Sequence, residues 1–185
     1  EMARIRAAKP DAVFQFHPGG TGIAFLKQWA QSGLKDQIPM VVAAPSLDQR
    51  IAAAVGDAAL GIASTSHWNT DFKNAENDAF VKGFVAKYNR QPTVYASQGY
   101  DTAKLIGAAL KATGGKLDEN AFRAAMTKAD VKLTRGPFKF NKNQHPIQDW
   151  YELKAVKGAD GKVTLATAGK VLDTHGDAYA VDCKI

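Results

Sequence analysis

The sequence predicts an α/β protein with a parallel sheet flanked by helices. Three observations lead there. Short apolar runs at 12–17, 38–44 and 61–66 alternate with helical patterns at 21–32 and 47–55. The run from Ile38 to Ala44 is apolar throughout, as in strands covered on both faces. The resulting β-α-β-α-β order calls for right-handed crossovers between parallel strands. Composition agrees: 45% hydrophobic and 23% charged residues exclude disordered, collagenous and fibrous chains. A chain of 185 residues buries roughly 70% of its unfolded surface, so its core needs no staples.

Element by element, Met2 to Lys9 reads as the last turns of a helix stopped by Pro10 and Asp11. The opening Glu1-Met2-Ala3-Arg4-Ile5-Arg6 looks like a helix interior, so an N-terminal segment carrying any targeting signal is expected to be missing. Val13, Phe14 and Phe16 mark the first strand. In the next helix Ile23, Leu26 and Ala30 fall at helical spacing, Phe25 and Trp29 widen the stripe, and Gly33 closes it. Ser46 is expected to N-cap a helix from Leu47 to Val55. Asn77 to Tyr88 carries Phe80, Val81, Phe84, Val85 and Tyr88 on one stripe. Pro92 opens a helix running to about Lys111, and Asp118 caps a third containing Phe122, Ala125 and Met126. Strands follow at 131–140, 149–156 and 162–171, with Asp160-Gly161 turning the last pair.

Several function classes drop out. The longest stretch without a charged residue, Ala12 to Leu26, is too short to span a bilayer. The net charge of +6 comes from scattered cations rather than a basic stripe with aromatics, so no nucleic-acid partner is expected. The histidines at 17, 67, 145 and 175 have no metal-ligand spacing, and Cys183 stands alone; neither metal, cofactor nor disulfide is implied. No nucleophile elbow is present.

The sharpest local feature is His17-Pro18-Gly19-Gly20-Thr21-Gly22, between a strand and a helix. Glycines there let a ligand approach the backbone, and a helix N-terminus offers N–H groups to an anion. A dinucleotide fingerprint fits loosely through Asp48, but its third glycine falls on Phe25, and the Lys-Ser/Thr of a P-loop is missing. A purely structural turn also fits. Ligands of open parallel sheets lie beyond the carboxyl ends of the strands. Those ends carry Phe16, His17, Pro18, Gly19, Gly20 and Thr21, then Ser46, Leu47 and Asp48, then His67 and Trp68. Aromatic walls, hydroxyls and imidazoles suit a small polar-aromatic ligand.

The order of segments resembles the C-terminal half of type I periplasmic solute-binding proteins of the branched-chain amino acid (Leu/Ile/Val-binding) family. The resemblance runs through Arg4-Ile5-Arg6-Ala7-Ala8-Lys9-Pro10-Asp11-Ala12-Val13, Phe25-Leu26-Lys27-Gln28-Trp29-Ala30-Gln31-Ser32-Gly33-Leu34 and Gly56-Asp57-Ala58-Ala59-Leu60-Gly61. It continues through Tyr95-Ala96-Ser97-Gln98-Gly99-Tyr100-Asp101-Thr102-Ala103, Arg135-Gly136-Pro137-Phe138-Lys139-Phe140 and Cys183-Lys184. It implies two hinged lobes that close on a solute in the periplasm and deliver it to the membrane subunits of an ABC importer. Residues 1–67 would belong to the second lobe, 68–130 would be helices returning to the first, and 131–185 would cross back. The first lobe's strands are absent, so Phe80, Phe84 and Tyr88 are expected to expose an apolar face that a missing lobe or a second copy of the chain must cover.

Amino-acid binders of this family place an acid just after the strand matching Ile38 to Ala44, to take the α-ammonium. Here Ala44, Pro45 or Ser46 falls there, and Asp48 lies about one helical turn away. A desolvated ammonium without an anion costs several kcal/mol. The expected ligand is therefore an aromatic carboxylate, held by His17 and the Gly19-Gly20-Thr21 backbone with Phe16 and Trp68 against its ring. An aliphatic amino acid read through Asp48 is the second reading. A nucleotide- or phosphate-dependent enzyme and a binding-dead, self-associating scaffold are the readings from other classes.

Overall fold

The computed structural model describes residues 1–116 and 118–184. They form two units, residues 1–71 with 151–169 and residues 72–150 with 170–185. The chain therefore passes between units after Asp71, Trp150 and Gly169.

In the first unit, β1 (Val13–Gln15), β2 (Met40–Ala43) and β3 (Ala63–Ser66) pair in parallel in that order, with Phe14 opposite Val41 and Val42 opposite Ser64. The parallel order expected from the sequence is present. Helix α1 (Met2–Ala8) precedes β1, and helices α2 (Gly20–Gln31) and α3 (Gln49–Val55) supply the two connections. Phe25, Leu26 and Trp29 of α2 join Ile51, Ala52 and Val55 of α3, with Met40 and Val42 of β2, in one apolar cluster. Each such side chain stabilises by roughly 1.5–3 kcal/mol when fully buried. Phe14 and Val41, neighbours in the sheet, are by contrast 71% and 41% exposed.

One cap differs from expectation. Residues 44–46 form a 3-10 turn with Pro45 inside it, and the helix begins only at Gln49. Asp48, not Ser46, is the N-cap: its carboxylate accepts the Ile51 N–H at 2.8 Å. The Pro45 turn and the extended backbone at Leu47 delay helix entry by two residues, which brings a better-placed acceptor to the cap.

The second unit contains α4 (Ala75–Tyr88), α5 (Val94–Ala112) and α6 (Glu119–Thr127). Asn74 and Asp118 cap α4 and α6 by accepting the N–H groups of Asn77 and Ala121. The aromatic stripe of α4 is covered more than expected. Phe80 is buried against Tyr100, ring centroids 4.8 Å apart, and Phe84 leans on it at 5.9 Å; only Tyr88 of the three is mostly exposed. Tyr100 also donates to Glu76, which pairs with Lys104 at 2.6 Å. The Lys104 hydrogen bond holds the Glu76 carboxyl below its usual range, and the bond to Glu76 raises the Tyr100 phenol.

The strand expected over 131–140 is confined to β4 (Phe138–Phe140). Thr134 and Arg135 lie outside it because their donors go to a side chain. Asp101 of α5 accepts the Thr134 N–H at 2.9 Å, the Thr134 hydroxyl at 3.1 Å and Arg135 Nε at 2.9 Å. Arg135 Nη1 also donates to Gln148 at 3.0 Å, and all four residues are buried.

The tail is a long hairpin of β5 (Pro146–Lys157) and β6 (Val163–His175), turned at Asp160-Gly161 with Gly161 at φ 76°. Both strands exceed the expected spans. In the second unit β5 pairs antiparallel with β4; in the first it pairs antiparallel with β3, Ser66 facing Tyr151. Near the end of its second-unit part, Asp149 accepts the Thr174 N–H at 2.8 Å and pairs with Lys170 at 2.6 Å. Burial pushes the Asp149 carboxyl up, but the hydrogen bonds from Lys170 and Thr174 outweigh it and hold it at about 2.

Two stability predictions follow from these carboxylates. Asp101→Ala strands the Arg135 guanidinium in the interior and is expected to cost about 3–5 kcal/mol in urea unfolding. Asp149 has a lowered folded-state pKa, so its contribution is full at neutral pH and is lost as pH falls from near 4 toward about 2. Asp149→Asn should flatten that part of the acid-unfolding curve, and an unchanged curve would contradict the assignment.

Candidate functional site

The carboxyl ends of β1, β2 and β3 lie side by side in the first unit because the strands are parallel neighbours. Two hydrogen bonds join the loops that leave them. The His17 N–H donates to Ser46 Oγ at 2.8 Å, tying the β1 loop to the β2 loop. Gln49 Nε2 donates to Asn69 Oδ1 at 2.8 Å, tying the start of α3 to the loop after β3. Asn69 in turn donates to Asp71, to the Leu165 carbonyl and to Thr167.

His17 is fixed as a side chain as well as through its backbone. Its ring stacks on Phe25 at 5.2 Å, Phe25 stacks on Trp29 at 6.3 Å, and Gln15 Nε2 lies 3.0 Å from His17 Nδ1. The imidazole remains exposed, as do Phe16, Pro18, Gly19, Gly20 and Thr21. Gly19 caps α2 at φ 69° and ψ −143°, a region open only to glycine, and supplies no side-chain acceptor. The first N–H groups of α2 thus keep the anion-binding character of a helix N-terminus. The Thr21 hydroxyl donates to the Pro18 carbonyl at 3.1 Å.

The glycines of this loop divide by role. Nothing lies within 4 Å of a Cβ built on Gly19 or Gly20, whereas a Cβ on Gly22 would fall 2.0 Å from the His17 carbonyl oxygen. Gly22 serves a close backbone approach within the protein itself.

The remaining expected residues are interior. Ser46 and Leu47 are fully buried, and Asp48 and His67 nearly so. Trp68 is 1% exposed, and its N–H and carbonyl both bond Ser66 Oγ. Of the expected residues, 16–21 are exposed, whereas 46–48 and 67–68 are buried. Two further residues of this region, Gln15 and Gln49, carry no motif in the sequence, while Asn69 follows His67 and Trp68 at the end of β3. Gln15 was findable, since its parity in β1 puts an amide on the buried face. The Gln49–Asn69 pair gives no local signal. Two cavities lie elsewhere, in the second unit: about 450 Å³ lined by residues including His145, Trp150 and His175, and about 380 Å³ lined by residues including Leu105, Met126 and Phe138. Among the described residues no group of three or more His, Cys, Asp or Glu is arranged to hold a metal, and no helix is long and apolar enough to cross a membrane.

Comparison with known proteins decides the family. Residues 1–162 match the family model described as periplasmic binding protein. The chain belongs to that family. It is 31% identical over 165 residues to the Leu/Ile/Val-binding protein homolog 6 of Brucella melitensis, covering 86% of this chain and 42% of that protein. An ABC-transporter solute-binding protein from R. palustris, solved in complex with benzoate, superposes with a TM-score of 0.89 at 37% identity, over 100% of this chain and 49% of that one. A solute-binding protein from Rhodopseudomonas palustris BisB5, in complex with 3,4-dihydroxybenzoic acid, gives 0.83 at 33% identity, over 94% and 48%. The chain spans about half the length of the relatives it matches.

The Gly22 contact yields a direct test. Gly22→Ala must push the His17 carbonyl away from α2, so a destabilisation of about 1–3 kcal/mol is expected by thermal or urea unfolding. Gly20→Ala, with open space around its Cβ, should change stability far less. Equal effects of the two would refute the division of roles.

Proposed function

We propose that this chain is part of a periplasmic solute-binding receptor that takes an aromatic carboxylate and presents it to the membrane subunits of an ABC importer. The polypeptide corresponding to the other half of its relatives would complete the receptor. The observation that carries the proposal is the pairing of benzoate-type ligands in two solved relatives, at 37% and 33% identity, with the chemistry of the strand-end rim. An exposed Phe16, a stacked and oriented His17 and an uncapped helix start suit a ring bearing a carboxylate. The work done is binding and closure rather than catalysis. A solute shifts the open–closed equilibrium only through contacts stronger in the closed form.

The amino-acid reading has support of its own in the Brucella relative's name. Its weakness lies at the ammonium. Ala44, Pro45 and Ser46 supply no anion, and the Asp48 carboxylate already accepts the Ile51 N–H as a helix cap. The nucleotide reading loses a glycine, because Gly22 answers to the His17 carbonyl rather than to a pyrophosphate.

A thermal-shift comparison separates the readings. Benzoate or 3,4-dihydroxybenzoate at 100 times its dissociation constant should add about 2.7 kcal/mol. His17→Ala should reduce that stabilisation, measured from the variant's own unliganded Tm, which loss of the Phe25 stack and of the Gln15 partner lowers. Stabilisation by leucine or valine and none by the benzoates would overturn the aromatic-acid proposal.

A further inference from the structure

The side chain of Gln15 lies in the interior at the end of β1, yet it reaches the exposed His17 ring. Gln15 is 2% exposed, stands opposite Val42 in the sheet and sets its Nε2 3.0 Å from His17 Nδ1. A carboxamide nitrogen only donates, so Nδ1 is the acceptor in this bond. A neutral imidazole carries one N–H, and an accepting Nδ1 leaves that proton on Nε2. His145 has the opposite arrangement, because its Nδ1 lies 3.2 Å from the Asp177 carboxylate, which accepts when ionised.

The amide and the ring set each other. Gln15 Oε1 is buried and has no hydrogen-bond partner among the described residues, so the bond to His17 is what orients the amide. Other contacts fix the ring. Its face stacks on Phe25 at 5.2 Å with the planes 21° apart, and Phe25 stacks in turn on Trp29. The backbone N–H of His17 is held by the buried Ser46 Oγ at 2.8 Å. With one face on Phe25 and the Nδ1 edge on Gln15, the Nε2 edge is the one turned away from the interior.

We infer that Gln15 is a positioning residue that holds neutral His17 as its Nε2–H tautomer and so sets the strand-end rim to receive a solute group bearing lone pairs. The inference deepens the aromatic-acid reading above and rests on it for the identity of that group, though not for the tautomer. A carboxylate finds donors at Nε2–H and at the uncapped start of α2. An ammonium or amide N–H meets a donor instead of an acceptor. The other tautomer would reverse this preference at His17, since a bare Nε2 welcomes donors and repels a carboxylate.

The test is nitrogen NMR of the histidine rings in the full chain without solute, on the alkaline plateau of the His17 titration. His17→Ala assigns the signals. The parent should show a protonated Nε2 and a bare Nδ1. Gln15→Glu, whose carboxylate only accepts, should move the proton to Nδ1. Gln15→Met, close in volume but without a donor, should give a mixture of the two forms. Calorimetric titration with benzoate under the same conditions should find binding weakened about tenfold or more in Gln15→Glu, and less in Gln15→Met. The nitrogen signals are independent of the charge that glutamate brings near an anionic solute. A lowered Tm in both variants with the ring proton unmoved makes Gln15 merely structural and overturns the inference. If Gln15→Glu does not fold by circular dichroism, the parent spectrum and Gln15→Met carry the test. A parent with Nδ1–H overturns the inference even when it binds benzoate. A parent fixed as Nε2–H with no benzoate response keeps the Gln15 assignment and removes the aromatic-acid reading.

Discussion

The contact between the His17 carbonyl and Gly22 fixes how α2 meets the sheet, and much of the first unit depends on it. With no Cβ at Gly22, the backbone leaving β1 closes directly onto the first turn of α2. That approach sets the depth at which Phe25, Leu26 and Trp29 enter the apolar cluster. It also places the His17 ring over Phe25 and the His17 N–H against Ser46. The candidate rim is thus a consequence of core packing. Its exposed residues are held by neighbours that are themselves buried, which is how a loop obtains a defined geometry from a rigid scaffold.

A second theme is the use of aspartate as a partner for backbone N–H groups. Asp48 takes the Ile51 N–H, Asp71 the Thr167 N–H, Asp101 the Thr134 N–H and Asp149 the Thr174 N–H. Asp48 stands at a helix start and Asp101 beside the irregular segment before β4, whereas Asp71 and Asp149 receive donors from β6; an unpaired N–H removed from water costs about 1–3 kcal/mol. Three of the four also hold a second donor from the segment they receive: a hydroxyl for Asp71, a hydroxyl and a guanidinium for Asp101, an ammonium for Asp149. A carboxylate accepting both a backbone N–H and a charged or hydroxyl donor fixes position as well as satisfying a bond.

This explains which parts of the fold were legible in the sequence. The parallel strand order, the span of α5, the Asp118 cap and the Asp160-Gly161 turn follow from local signals, namely apolar period, a cap residue and a turn dipeptide. Ser46 was misread as a cap because serine and aspartate are comparable caps two residues apart, and only the Pro45 turn decides between them. The part of the expected 131–140 strand that precedes Phe138 failed for a less local reason. Thr134 has a strand-like neighbourhood, but its donors find Asp101, 33 residues earlier. The burial of Phe80 depends likewise on Tyr100 from another helix. Partners this distant leave no trace in a window of a dozen residues. For the rim, the glycines and aromatics were visible as a cluster, whereas their division into exposed and buried residues was not.

The chemistry of the rim bears on ligand class through charge. A zwitterionic amino acid presents both an anion and a cation, and each must find an opposite partner when water leaves. A benzoate presents one anion and a ring. The first unit offers backbone N–H groups at the start of α2 and an aromatic–imidazole stack beside them, while the Asp48 carboxylate already caps α3. A carboxylate arriving there meets donors and an apolar face, and needs no protein anion. An ammonium would have to reach the Asp48 carboxylate, which is buried and already takes the Ile51 N–H on one oxygen, or remain unpaired. On that difference the proposed aromatic acid suits these donors better than a zwitterion does.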